Sequence, residues 1–111
     1  MLIVQLDEPT LFVYDSVEEA QRSIEGVDAE GEVRAAFDEN AVPQRVRMCV
    51  PNRSGSSLGL HWVESGQFTF EPSGPPDRAR LARLIEENAA TVDPPEAEVD
   101  LMKLLAVLRA V

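Results

Sequence analysis

The stretch that decides the fold is QRVRMCVPNRSGSSLGLHWVESGQFTFE, residues 44–71. Its first seven residues alternate Val46, Met48 and Val50 with Arg45, Arg47 and Cys49. Leu58, Leu60 and Trp62 then alternate with His61 and Val63, and Phe68 and Phe70 with Gln67 and Thr69. A side-chain period of two is the mark of a strand with one apolar face. Between these runs, PNRSGSS at 51–57 reads as a flexible loop and ESG at 64–66 as a tight hairpin turn. Short connections and alternating faces predict an antiparallel meander with one face buried and the other wet.

The chain upstream alternates strand and helix. GEVRAAF at 31–37 is a further strand, closed by the turn DENAVP at 38–43. LFVY at 11–14 is apolar, aromatic and β-branched, hence a strand; LIVQL at 2–6 is either another strand or a continuation of it, interrupted at Pro9. After it comes DSVEEAQRSIEG, 15–26. Asp15 or Ser16 caps a helix, Ser16 and Glu19 have capping-box spacing, and Glu18 and Glu19 suit the positive helix end. Val17, Ala20 and Ile24 form its apolar stripe, and Gly26 is read as its C-cap.

Downstream, PSGPP at 72–76 marks the change from strands to helices. A helix over 77–88 turns Leu81, Leu84 and Ile85 inward. The last helix is read as opening with Asp93 as N-cap and Pro94 in its first turn. In that helix Leu101, Leu104, Leu105 and Leu108 should cover the sheet. Met102, Ala106, Val107 and Val111 then need a second cover, either the helix before it or a second copy of the chain. The expected fold is α+β: an antiparallel β-meander of four to five strands, with one N-terminal and two C-terminal helices packed on it, in a single domain of 111 residues.

Charge narrows the partners. Residues 1–40 hold eleven carboxylates and two arginines, so nearly all of the net charge of −10 lies in the first third. Such a field repels phosphate backbones and anionic bilayers, which argues against nucleic acid and membrane and favours a basic protein. The single cysteine, Cys49, excludes an internal disulfide, and the first ten residues lack the basic flank of a signal peptide. A cytoplasmic protein is the expectation.

Enzyme chemistry finds little to stand on. His61 is the only histidine, and although Ser54, Ser56, Ser57 and Cys49 lie near it, no nucleophile elbow or cysteine-protease signature surrounds them. One histidine and one cysteine cannot build the usual zinc sites, and DAEGE at 28–32 lacks the full calcium-loop pattern. SGSSLG at 54–59 is followed by no lysine, so it is not a P-loop. No metal or cofactor is expected. Nine carboxylates between positions 15 and 39 face only Arg22 and Arg34. They form either a solvated face or a surface for a cationic partner, with Glu18, Glu19, Glu25, Asp28, Glu30 and Glu32 as the candidate contacts.

The string LFVYDSVEEAQRSIEGVDAEGEVRAAFDEN, 11–40, resembles the opening of a group of small, uncharacterised bacterial proteins. These have an apolar strand, then D-S-V-E-E-A, I-E-x-V-D and G-E-x-x-A-A-F-D, and the similarity extends to GPPD at 74–77. They look like the immunity-type inhibitors found beside bacterial toxins. The resemblance implies a small α+β fold and carries over no catalytic residue. The expected function is therefore a non-enzymatic, acidic protein-binding domain, most concretely an immunity-type inhibitor of a basic partner such as a toxin. The alternative is a homodimer or larger homo-oligomer, structural or regulatory, assembled through Met102, Val107 and Val111. A third reading is a small-anion binder or enzyme on the wet sheet face near His61, Arg45 and Arg47.

Overall fold

The computed structural model describes residues 1–6, 10–88 and 91–110, the side chain of Val27 excepted. Pro9 and Val111 lie outside the described residues. The elements run β1 (Leu2–Gln5), β2 (Leu11–Tyr14), α1 (Val17–Ser23), α2 (Gly26–Glu32) and β3 (Ala35–Asp38). They continue with β4 (Gln44–Val50), β5 (Arg53–Ser57), β6 (Leu60–Glu64), β7 (Gln67–Pro72), α3 (Arg78–Asn88), β8 (Val92–Asp93) and α4 (Ala97–Arg109). The chain is α+β as expected, with eight strands among the described residues rather than four or five.

A four-stranded sheet, ordered β3-β1-β2-β8, forms the centre. β1 pairs antiparallel with both β2 and β3, and β8 adds to β2 in parallel. Successive residues of these strands enter different cores. Ile3, Leu11, Val13 and Phe37 pack with Leu81, Leu84 and Ile85 of α3 and Leu101, Leu105 and Leu108 of α4. Leu2, Val4, Tyr14 and Ala36 pack with Ala20, Ile24 and Ala29 from the α1–α2 side and with Phe68 and Phe70 of β7. The central sheet is thus covered on both faces, whereas the β4–β7 pair has the expected one buried and one wet face, with Phe68 and Phe70 buried and Arg45 and Arg47 exposed. The near-continuous apolar run of β1 is what a strand buried on both sides requires. Each fully buried leucine, isoleucine or phenylalanine contributes about 1.5–3 kcal/mol, and the three-layer arrangement lets a short chain bury many of them.

The meander is also corrected. β4 pairs with β7 and β5 with β6, both antiparallel, so residues 44–72 form one long nested hairpin. PNRSGSS does not loop: Arg53–Ser57 is strand β5. The hairpin turn is Leu58–Gly59, where both residues have positive φ, 53° and 78°. A two-residue loop with both central φ positive is the turn whose twist matches the flanking strands. Residues 64–66, expected to be that turn, instead end β6 and lead into β7.

The helix ends show similar small shifts. Ser16 Oγ accepts from the Glu19 amide at 3.1 Å, while Glu19 Oε2 accepts from the Asp15 amide at 3.0 Å, so the cap forms around Ser16 as the spacing implied. α1 ends with Ile24 as its C-cap, and Gly26 starts α2 rather than closing α1. Residues 31–32, expected in a strand, complete α2, and β3 begins at Ala35. Asp77 Oδ1 accepts from the Arg80 amide at 3.1 Å and caps α3. Asp93 belongs to β8, not to the cap of the last helix, which starts at Ala97 after Glu96.

Candidate functional site

The outer half of the nested hairpin projects from the body as an arm. The molecule measures 60 × 27 × 20 Å with a radius of gyration of 15.6 Å. A compact chain of about 100 residues has a radius near 13 Å. β5 and β6 pair only with each other, and both outer edges of this ribbon are unpaired among the described residues. Every residue of β6 is exposed, including Leu60 at 71%, Val63 at 66% and Trp62 at 43%. At the tip Leu58 is 100% exposed in the left-handed region. That conformation costs a side-chain-bearing residue about 1–2 kcal/mol, set against the strand pairing that the turn permits between β5 and β6. Trp62 covers Gly55 across the ribbon, where a Cβ would stand 2.7 Å from its ring.

The arm is fixed to the body at its root. Asn52, between β4 and β5, donates through Nδ2 to the Gly26 carbonyl at 3.0 Å and to Glu30 of α2. Its Oδ1 accepts from the Gly66 amide at 2.7 Å. One amide side chain therefore ties both strands of the hairpin to α2. The backbones close tightly around it: a Cβ on Gly26 would lie 2.6 Å from the Gly66 carbonyl oxygen, and one on Gly66 would lie 1.9 Å from that of Val50. Only glycine fits at these two positions.

Acidic residues flank the joint. A groove of about 420 Å³ between α1 and β7 contains Arg22, Glu25, Gly26, Gly66 and Phe68. A second, of about 360 Å³ between α2 and the arm, contains Glu30, Asn52, Ser54 and Val63. Glu18, Glu25, Glu30 and Glu32 are exposed, whereas Glu19 is half-buried and occupied in the α1 cap and Asp28 is half-buried. Of the candidate acids, Glu25 and Glu30 line the grooves beside the arm root, whereas Glu19 lines a separate cleft with Pro94 and Asp100. Asp38 is set apart, accepting from the Asn40 and Val42 amides in the β3–β4 turn.

The other candidates are scattered. His61 stands exposed on the arm. Arg45 and Arg47 flank Glu71, at 2.7 and 3.6 Å, so these guanidiniums meet a carboxylate across the β4–β7 pair. Met102 is half-buried against the core that α3 and α4 share, and Val107 is 61% exposed. Among the described residues no group of three histidine, cysteine or carboxylate side chains converges as metal ligands, and no helix is long and apolar enough to cross a membrane. Sequence reasoning missed Asn52, Gly66 and Leu58; only the SLG at 57–59, with glycine where a hairpin turn wants positive φ, carried a legible signal. No family model matches the chain, no curated protein is similar to it, and no solved structure matches it.

Proposed function

We propose that the chain is a non-enzymatic protein-binding domain that grips a basic partner between its arm and its acidic α1–α2 side, in the manner of an immunity-type inhibitor. The observation that carries this reading is the arm itself, which exposes Leu58, Leu60, Trp62 and Val63. A two-stranded ribbon is marginal alone in water, so an apolar ribbon held stiffly outward is a surface that gains by being covered. The grooves containing Glu25 and Glu30 at its root supply the charge complement for lysine or arginine side chains. Occlusion of a basic active site follows, without any chemistry by this chain.

The test is capture from the source cell's lysate at low salt, with wild-type chain, a Glu18→Gln/Glu25→Gln/Glu30→Gln variant, and a Trp62→Ala variant. A basic protein should be retained by wild type, released as salt rises, and lost with either variant. Retention of the same protein by all three chains, unaffected by salt, would remove the proposal.

The alternative, a homo-oligomer formed through α4, rests on Val99 and Val107, which are 60% and 61% exposed on that helix. A second copy brings another ten negative charges, which opposes that association. Light scattering distinguishes the two: a dimer lost on Val107→Lys supports the alternative, and a monomer supports the first reading.

A further inference from the structure

At the free edge of β6, we infer that two copies of this chain pair arm to arm, antiparallel about a twofold axis at Trp62, into one shared four-stranded sheet. The turn and its register decide which groups that edge offers. Ser57 and Leu60 flank the two-residue turn and pair directly, followed by Ser56 with His61, Gly55 with Trp62 and Ser54 with Val63. The pair that closes such a turn is hydrogen-bonded, and bonded pairs then alternate along the ribbon. Leu60, Trp62 and Glu64 therefore spend their backbone groups on β5. The N–H and C=O groups of His61 and Val63 point outward, where no strand meets β6 among the described residues. Edge strands are ordinarily blunted by lysine, proline or a bulge, and residues 60–63 carry none of these.

A second copy of the chain is the occupant that this edge fits. The register that uses both outward residues of both copies sets His61 of one opposite Val63 of the other, and it centres the axis on Trp62. The two indoles then meet at a close, non-bonded position on one face, each lying across its own Gly55. The same register carries each tip four positions past the axis, to Ser65 and Gly66 of the other copy. There the groove between α1 and β7 opens, about 420 Å³ and lined by Ile24 and Phe68 beside those two residues. Leu58, fully exposed in the single chain, is seated in it. The arm is as long from Trp62 to its tip as from Trp62 to its joint, which is what a twofold pairing requires.

Charge permits this contact where it opposes one through α4. Residues 51–66 hold only Arg53 and Glu64 as charged groups, so the arm is neutral in a chain of net charge −10. The two copies of Glu64 lie four positions apart along the shared strands, about 13 Å, beyond the screening length of about 8 Å in physiological salt. Antiparallel arms hold the acidic α1–α2 sides at opposite ends. Only a strand's length is shared, so the interface belongs to the small, weak class, forming at about 0.1 mM and dissociating at a few micromolar. The pairing stands without the protein-binding reading. Its consequence, that a second copy and a basic partner compete for the arm and its groove, rests on that reading.

The test is sedimentation equilibrium of the full chain alone, from a few micromolar to about 1 mM, paired with hydrogen exchange of the β6 amides. The average mass should climb toward twice that of the chain. Exchange of the His61 and Val63 amides should slow severalfold over the same range, and that of the Trp62 amide, already bonded to β5, should slow less. Val63→Lys, at a position exposed in the single chain, should raise the dissociation constant at least tenfold (about 1.4 kcal/mol). His61→Pro removes an outward N–H and no bond to β5, and should do the same. Val107→Lys should leave the dimer intact. A monomer at the highest concentration, a dimer indifferent to both arm variants, or a dimer lost on Val107→Lys would each overturn the inference. No partner is present in these measurements, so a monomer here leaves the capture of a basic protein standing, and a failed capture leaves the dimer standing.

Discussion

Replacing Leu58 by asparagine should stabilise the arm. Leu58 sits at φ 53° and is fully exposed, so the substitution removes no contact within the chain. It creates Asn-Gly, the pair most at home in a two-residue hairpin turn with positive φ at both positions. Leucine in the left-handed region costs about 1–2 kcal/mol, most of which asparagine avoids, so a gain of about 1 kcal/mol is expected. If the ribbon opens separately from the core, the gain appears as about fivefold slower hydrogen exchange of the β5 and β6 amides. If it opens only with the whole molecule, the midpoint of thermal unfolding rises by about 4 °C. Leu58→Ala keeps the Cβ and should give neither effect. Exchange and melting both unchanged in Leu58→Asn would show that the tip is not strained. If the arm's tip meets the partner, the same variant binds less well while being more stable.

Gly66→Ala should destabilise by on the order of 3 kcal/mol, read as a lower midpoint in urea, because its Cβ has no space beside the Val50 carbonyl. Ser16→Ala should cost about 1 kcal/mol by leaving the Glu19 amide without its cap, whereas Ser16→Gly should cost less, both measured by denaturant unfolding. Burial, with Asp93 and Glu19 nearby, raises the pKa of Tyr14, the only tyrosine, above 10. The folded chain then holds this proton longer than the unfolded one. The contribution to stability is complete below pH 10 and is lost as pH climbs through the folded-state value. Phenolate absorbance should accordingly lag behind that of free tyrosine, and Tyr14→Phe should flatten the alkaline limb of the stability profile.

The parts of the fold carried by local pattern were legible. LFVY and QFTFE alternate or concentrate β-formers, and Leu81, Leu84 and Ile85 recur at helical spacing, so β2, β7 and α3 could be placed from composition alone. Pairing was not. RSGSS has no β-branched or aromatic residue, and it becomes a strand only because Leu60–Glu64 folds back on it. The short α2 contains two glycines, and its place depends on Asn52, 26 positions beyond Gly26 and invisible to any local window. Asp93 carries every local sign of a cap, yet the parallel bridge to Phe12 draws it into the sheet. The excess of acid around α1 and α2 was legible because charge is read by counting. The arm was not, because apolar alternation in 58–63 looks the same whether the face is buried or bare.

A sheet with oil on either side forfeits the usual safeguard of strand alignment. Where one surface is wet, sliding a strand by a single position drives its greasy set into water and is forbidden at once. In β1, sliding would only exchange Ile3 for Leu2 or Val4, each equally content in its neighbour's compartment. Alignment in this chain therefore falls to shape rather than polarity: the bulk of Phe37 on one side, the small Ala36 on the other, and the hydrogen bond from the Gln5 side-chain amide to Asn88 that pins the strand's far end.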